Sequence, residues 1–300
     1  MSDQMMLNAS GLSKRYGSKE VLHDVNITVN KGDIYGLVGR NGAGKTTIMR
    51  IITGLQNPTD GTVEFGFDRK RLGSIGALVE LPSIYLDMSA EDNIRFQCYN
   101  LGLKFDDSAR EILKFVGLDT TGKKSAGRFS LGMRQRLGIA MAMVGDPDLL
   151  ILDEPINGLD PQGIIGVRNL LLKLNKERNT TILISSHILS ELSKLATRYA
   201  FIDQGTIVKE ASAEQVENAG EKLIILDCDR FDELCAKLVS SGYKAETSYK
   251  AGKVTVHGDI NPADVVLLAD ASGFKITDLK TEETDLERFY VNLVGGNRNA

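Results

Sequence analysis

The chain has 300 residues, a length that favours about two domains at ~150 residues each. Its 42% hydrophobic and 25% charged residues make an ordinary globular composition, which excludes a disordered or collagen-like chain. Residues 1–220 carry 26 basic and 26 acidic side chains, residues 221–300 carry 10 and 14, and the net charge is −4, so neither part has the basic excess of a nucleic-acid binder.

The first two hundred residues alternate short apolar runs with helical patterns, which predicts an α/β architecture. Ile34–Val38 is expected as a buried strand, followed by a Gly-rich turn and a helix over Thr46–Thr53. From about 84 to 145 helices predominate, with Asp92–Leu101, Ser108–Val116 and Leu131–Val144 as candidates. This stretch reads as a mostly helical subdomain inserted into the α/β core. Leu149–Leu152 and Thr181–Ile184 are β-rich runs of the kind buried on both faces of a parallel sheet. Between them, Gly163–Lys176 places Ile164, Val167, Leu170, Leu171 and Leu174 at helical spacing. Tyr199–Asp203 and Thr206–Val208 close the region as strands around Gln204-Gly205.

After Ala211 the pattern restarts. Lys222–Asp227 reads as strand, Arg230–Ser240 as helix, Ala245–Tyr249 and Lys253–His257 as strands, Pro262–Ala271 as helix and Ile276–Lys280 as strand. The order β-α-β-β-α-β is that of a small ferredoxin-like α+β domain. Asp285–Leu293 adds a final amphipathic turn or helix. The expected division is therefore 1–215 and 216–300. There is no internal repeat.

No window approaches 18 uninterrupted apolar residues, so the chain is not expected to span a membrane by itself. Met1-Ser2-Asp3-Gln4 has an acid where a signal peptide carries basic residues, and no signal peptide is expected. Cys98, Cys228 and Cys235 are odd in number and lack C-x-x-C spacing, which argues against disulfides and zinc and fits a reducing cytosol.

Gly39-Arg40-Asn41-Gly42-Ala43-Gly44-Lys45-Thr46 fits G-x-x-x-x-G-K-[ST] without a mismatch. The glycines let backbone N–H groups turn inward at a helix N-terminus, where the dipole favours an anion. Gly39, Asn41, Gly42, Gly44, Lys45, Thr46 and Thr47 are the candidate phosphate-binding residues. Lys45 is expected to reach the β- and γ-phosphates and the Thr46 hydroxyl to ligate Mg²⁺. A second core strand, Leu149–Leu152, ends in Asp153-Glu154-Pro155. Asp153 can hold Mg²⁺ through water, and Glu154 can accept a proton from an attacking water.

With these motifs in place, residues 5–210 resemble the ATP-binding-cassette (ABC) family. Ser130-Leu131-Gly132-Met133-Arg134-Gln135 is similar to the family signature LSGGQ, with Phe129 at its first position and departures at Leu131 and Met133. Gly158-Leu159-Asp160-Pro161 resembles the D-loop, and Ser185-Ser186-His187 the switch-histidine motif. Tyr16 matches the aromatic that stacks on adenine, while His23 and His257 read as structural. Glu80, in Leu78-Val79-Glu80-Leu81-Pro82, stands where the family usually has Gln. That departure is similar to the bacitracin-export and lantibiotic-immunity type of ATPase subunit. A carboxylate there can still ligate Mg²⁺, but adds negative charge near the phosphates.

The resemblance implies an ABC-type P-loop ATPase domain using ATP and Mg²⁺. It implies that two copies, or one copy and a related subunit, sandwich two ATP molecules head to tail. ATP phosphates would bridge Lys45 of one and Ser130 and Gly132 of the other, with Asp160 of the D-loop a further nucleotide-binding candidate and hydrolysis by water positioned through Glu154 and His187. It further implies a separate membrane permease docked near Ile84–Asn93, with the chain peripheral on the cytoplasmic face of the membrane. The expected task is export, or clearance from the membrane, of an amphiphilic compound such as a peptide antibiotic. The alternatives are the ATPase subunit of an importer with a C-terminal regulatory domain, a non-transport ABC ATPase and a nucleotide-binding scaffold without turnover.

Overall fold

The computed structural model describes residues 4–218, 222–248, 252–283 and 286–296. They divide into two compact units, Met1–Ala213 and Glu214–Ala300.

The first unit runs β1 (Met5–Tyr16), β2 (Lys19–Asn30), β3 (Ile34–Val38), α1 (Lys45–Ile52), β4 (Asp60–Phe65), β5 (Ile75–Leu78), α2 (Ala90–Asn100), α3 (Asp107–Phe115), α4 (Leu131–Ala142), β6 (Leu149–Leu152), α5 (Pro161–Arg178), β7 (Thr181–Ser186), α6 (Leu189–Leu192), β8 (Arg198–Asp203) and β9 (Thr206–Ser212). α7 (Ala213–Asn218) begins at its last residue. Six strands form one sheet in the order β5-β6-β7-β3-β8-β9, parallel except for β9. Every residue of β3, β6 and β7 is buried, as expected of parallel strands covered on both faces. β2, β1 and β4 make a separate antiparallel sheet. Its inner side chains Leu7, Leu12, Leu22, Val25 and Ile27 share one core with Leu37, Ile48, Met49 and Ile151. Each such buried side chain contributes about 1.5–3 kcal/mol of hydrophobic stabilisation.

The region from 79 to 148 holds α2, α3 and α4 and two 3₁₀ turns, with a single isolated bridge between Ser89 and Ser125. Its helix starts were written locally. Ser89 accepts from Asp92 N, Asp106 accepts from Ser108 N and Ala109 N, and Ser130 accepts from Met133 N. α5 starts likewise, with Asp160 accepting from Gly163 N and Pro161 in the first turn, and ends at Asn179 in the left-handed region at φ 51°.

β1, β2, β4, β5, α6 and α7 are not among the elements expected from sequence, although buried Val25, Ile27 and Val29 give β2 a two-residue alternation. β1 carries register shifts against β2 at several points, and these bulges break the two-residue alternation by which a half-buried strand is recognised. β5 is only Ile-Gly-Ala-Leu, a weak β-former held by its pairing with β6. The remaining predicted elements are present, with ends that differ by a few residues.

The second unit runs β10 (Lys222–Cys228), α8 (Phe231–Ser240), β11 (Lys244–Ser248), β12 (Lys253–His257), α9 (Pro262–Ala271), β13 (Ile276–Glu283) and α10 (Leu286–Gly296). The sheet order β11-β12-β10-β13 is antiparallel throughout, the ferredoxin-like arrangement. Ile224, Leu226, Val254 and Val256 pack on Leu234 and Leu238 of α8 and Val265 and Ala269 of α9. Met1-Ser2-Asp3, and the expected element ends Tyr249 and Asp285, lie outside the described residues. Cys98 and Cys228 are buried and Cys235 half-buried, and burial pushes all three thiols up. Among the described residues no helix is long and apolar enough to cross a membrane.

Candidate functional site

Three adjacent parallel strands, β3, β7 and β6, end on the same edge of the sheet. The chain leaving β3 forms the Gly-rich loop into α1, that leaving β6 supplies Asp153 and Glu154, and that leaving β7 supplies His187. Ligands of open α/β sheets bind at this carboxyl edge, because there the loops converge on the helix N-termini.

Two glycines make the loop possible. Gly44, at the N-cap of α1, has φ 114°, and a Cβ there would stand 2.6 Å from Leu22 Cδ2. A Cβ on Gly39 would stand 2.5 Å from the Ile202 carbonyl oxygen. At these two positions the loop lies against β2 and β8 with no room for a side chain.

Lys45 is only 6% exposed. Its Nζ donates to Gly39 O at 2.7 Å and Arg40 O at 3.3 Å, and stands 3.4 Å from Glu154 Oε1. The other Glu154 oxygen, Oε2, accepts from the His187 backbone N–H at 3.2 Å and lies 2.7 Å from His187 Nδ1. Opposite an ionised carboxylate that ring nitrogen carries the proton, since a carboxylate only accepts. Thr46 Oγ1 donates to Asp153 Oδ2 at 2.7 Å, and Ser185 Oγ donates to Asp153 Oδ1 at 2.5 Å. Ser185 Oγ also accepts from Glu154 N at 2.9 Å. Lys45, Thr46, Asp153, Glu154, Ser185 and His187, six residues at the ends of three strands, thus join one cation, one imidazole and two carboxylates.

Above them lies a cavity of about 230 Å³ lined by Val21, Asn41, Gly42, Gly44, Lys45, Thr46, Thr47 and Glu154. A larger hollow of about 620 Å³, around Cys98, Ile112, Met143 and Arg178, contains none of these groups. The smaller one is the chemically furnished site. Hard oxygens of Thr46 and Asp153, adjacent at 2.7 Å, suit Mg²⁺. The described residues contain no cluster of three or more His, Cys, Asp or Glu able to hold a metal.

The other predicted residues lie outside this cavity. Tyr16 ends β1, is 43% exposed, and donates from its hydroxyl to Gln56 Oε1 at 2.7 Å. Glu80 has φ 68° and forms an ion pair with Arg50 of α1, not with Thr46 or Asp153. Ser130 and Asp160 are helix caps, with α4 and α5 starting side by side. A Cβ on Gly132 would come 3.6 Å from Gly163 Cα, and one on Gly158 3.6 Å from Leu131 Cδ2. These two helix N-termini open beside exposed Leu131. Val21 and Ser185 were not singled out by sequence reasoning. Val21 belongs to β2, which is not among the expected strands. Ser185 sits within the Ser185-Ser186-His187 motif, and only the strand's partner on β6 gives it work.

The ABC transporter family profile matches residues 22–157. Over 301 residues the chain is 38% identical to the bacitracin transport ATP-binding protein BcrA of Bacillus licheniformis, covering 97% of this chain and 98% of that one. It is 43% identical over 219 residues to the lantibiotic transport ATP-binding protein SrtF of Streptococcus pyogenes, covering 72% and 95%. Among solved structures, an ATP-binding cassette of an ABC transporter in its ADP conformation superposes with a TM-score of 0.64 at 26% identity, covering 71% of this chain and 94% of that one.

Proposed function

The chain belongs to the ABC transporter ATP-binding family and is its ATP-hydrolysing kind of subunit, and from that premise we propose that it powers export or membrane clearance of an amphiphilic peptide antibiotic through a separate permease. The antibiotic class rests on the full-length similarity to BcrA and on the similarity to SrtF. We assign the ATPase work to residues 1–215, with the helical subdomain at about 84–145, and treat 216–300 as a separate small α+β domain. With a membrane permease as partner, the chain sits on the cytoplasmic face of the membrane without crossing it.

The observation that carries the site assignment is the Glu154 carboxylate, held between Lys45 at 3.4 Å and His187 Nδ1 at 2.7 Å. In this reading the ATP phosphates enter the cavity over the Gly-rich loop and compete with Glu154 for Lys45. Backbone N–H groups of 41–46 and the α1 N-terminus hold the β-phosphate, and Tyr16 offers a face to adenine. Glu154 takes a proton from water as the water oxygen bonds to the γ-phosphorus and the bond to the bridging oxygen breaks, giving ADP and phosphate. His187 keeps Glu154 aimed at that water. Thr46 and Asp153 would hold Mg²⁺, which would neutralise charge on the phosphate oxygens. Glu80 enters this set only by exchanging Arg50 for the cation.

Ser130, Gly132 and Asp160 serve a second cassette. Their helix N-termini favour an anion, and their placement outside the cavity of their own chain suits a γ-phosphate brought by another copy or a related subunit. ATP then joins two cassettes and hydrolysis releases them, because the closed pair binds ATP better than ADP. Steady-state ATPase assays of Glu154→Gln test the reading. We expect kcat to fall by about 10²–10⁴-fold while ATP still binds. Turnover at the wild-type rate would remove Glu154 from its role.

A further inference from the structure

The hydroxyl of Ser185 joins the two acidic residues of the site. It is fully buried, at 0% exposure, and Asp153 is 3% exposed. A serine hydroxyl has one proton to give. Here that proton goes to Asp153 Oδ1 at 2.5 Å, and a lone pair of the same oxygen accepts the Glu154 N–H at 2.9 Å. Donation to a carboxylate makes the oxygen a better acceptor, so the two bonds reinforce each other. The adjacent Ser186 works differently. Its oxygen accepts from Ile188 N at 3.0 Å and shapes the turn that carries His187.

Glu154 stands at φ 49°, in the left-handed region that an L residue with a side chain rarely occupies. Something must hold the backbone there, and its N–H is fixed by the Ser185 oxygen. The other oxygen of Asp153 meanwhile faces Thr46. We propose that Ser185 is a positioning residue for hydrolysis: it pins the Glu154 backbone in its left-handed turn, so that the carboxylate meets Lys45 and His187, and it reserves Asp153 Oδ2 for the Thr46 side. The inference rests on reading Glu154 as the base. Loss of the hydroxyl leaves a buried N–H and a buried carboxylate oxygen without their partner, and the turn carrying Glu154 relaxes. A displacement of about 1 Å at a reacting group can cost about 10²-fold in rate.

The test compares Ser185→Ala, Ser185→Thr and Glu154→Gln in the full-length chain by steady-state ATPase and by equilibrium binding of a fluorescent ATP analogue with and without Mg²⁺. S185A should lose about 10–100-fold in kcat while Mg²⁺-free ATP affinity stays within about twofold. S185T, which keeps the hydroxyl, should recover most of the rate. In the E154Q background S185A should add no further loss, because it acts through Glu154. A folded S185A with kcat within about twofold of wild type overturns the proposal, as does a loss of binding as large as the loss of kcat. Wild-type turnover in E154Q would sink both this inference and the reading of Glu154, whereas an unaffected S185A beside an inactive E154Q sinks Ser185 alone. If S185A does not fold, Ser185→Cys, whose thiol is a weak donor and acceptor, is judged by the same criteria.

Discussion

Glu154 and Lys45 face each other at 3.4 Å with side chains only 20% and 6% exposed, while Glu154 also meets His187 Nδ1 at 2.7 Å. A buried ammonium on a Gly-rich loop is costly unless paired, and here carbonyl oxygens of Gly39 and Arg40 share the load with Glu154. A triphosphate offers Lys45 stronger acceptors than those carbonyls. Lys45→Ala should therefore lower ATP affinity by about 10–150-fold, the equivalent of the ~1.5–3 kcal/mol typical of a hydrogen bond to a charged group. Titration with a fluorescent ATP analogue measures it. Much of this was legible from residue types. G-x-x-x-x-G-K-[ST] and a strand ending in Asp-Glu can be read without coordinates, because phosphate binding demands those residues at fixed spacing. The Ser185 bridge was not legible. Its chemistry depends on a hydroxyl 32 residues from Asp153 facing that carboxylate. Nor was the Arg50–Glu80 pair, whose members lie 30 residues apart.

At the level of elements, α2, α3, α4 and α5 each start on a side-chain oxygen, whereas α1 starts on Gly44 with no side-chain cap. Ser130 accepts from Met133 N at 3.2 Å, opening α4 at the departed signature. Ser130→Ala should cost about 1 kcal/mol of stability, read from the urea midpoint, through loss of that cap. A second element-level feature ties α5 to α6. Glu191, with a side chain 15% exposed, accepts from Lys194 at 2.6 Å and Arg168 at 2.5 Å. The Lys194 hydrogen bond, followed by the Arg168 contacts, holds its carboxyl below the ordinary carboxylate range. A depressed carboxylate stabilises the fold above its unfolded pKa, and that stability is lost as pH falls through the folded value. Glu191→Gln should accordingly melt below wild type at pH 7. The gap should close as the pH drops below about 4.5, the ordinary value for the group, as thermal melts across pH 3–7 will show. The strands β10 and β12 were read from sequence, over Lys222–Asp227 and Lys253–His257. The bulged β1 was not, since its inner residues owe their spacing to β2 and β4.

For the whole molecule, one chain carries one Gly-rich loop and one α4 N-terminus, and the latter is absent from the lining of the 230 Å³ cavity. The reading that a second cassette completes each ATP site gives a direct expectation. Glu154→Gln with ATP and Mg²⁺ should elute as a dimer in size-exclusion chromatography with light scattering, and should return to monomer when the nucleotide is removed. Lys45→Ala in that background should abolish the ATP-dependent shift. An unchanged monomer at saturating ATP, alone and with the permease, would exclude ATP as the bridge. The second unit is closed by its own core of Ile224, Leu226, Val254, Val256, Leu234 and Leu238.

The sequence by itself determined the class of the chain. Short-range rules did this, because a phosphate loop, a strand-end carboxylate, a helix cap and a buried parallel strand are each written within about ten neighbouring residues. The βαββαβ order of the second unit was readable for the same reason. Only the tertiary structure decided which groups meet. The order β6-β7-β3 sets the ends of three strands side by side, so that Thr46 reaches Asp153, Lys45 and His187 reach Glu154, and Ser185 joins the two acids. Strand order and register arise from packing between segments 32 residues apart for β6 and β7 and 148 apart for β3 and β7, and no local pattern encodes them.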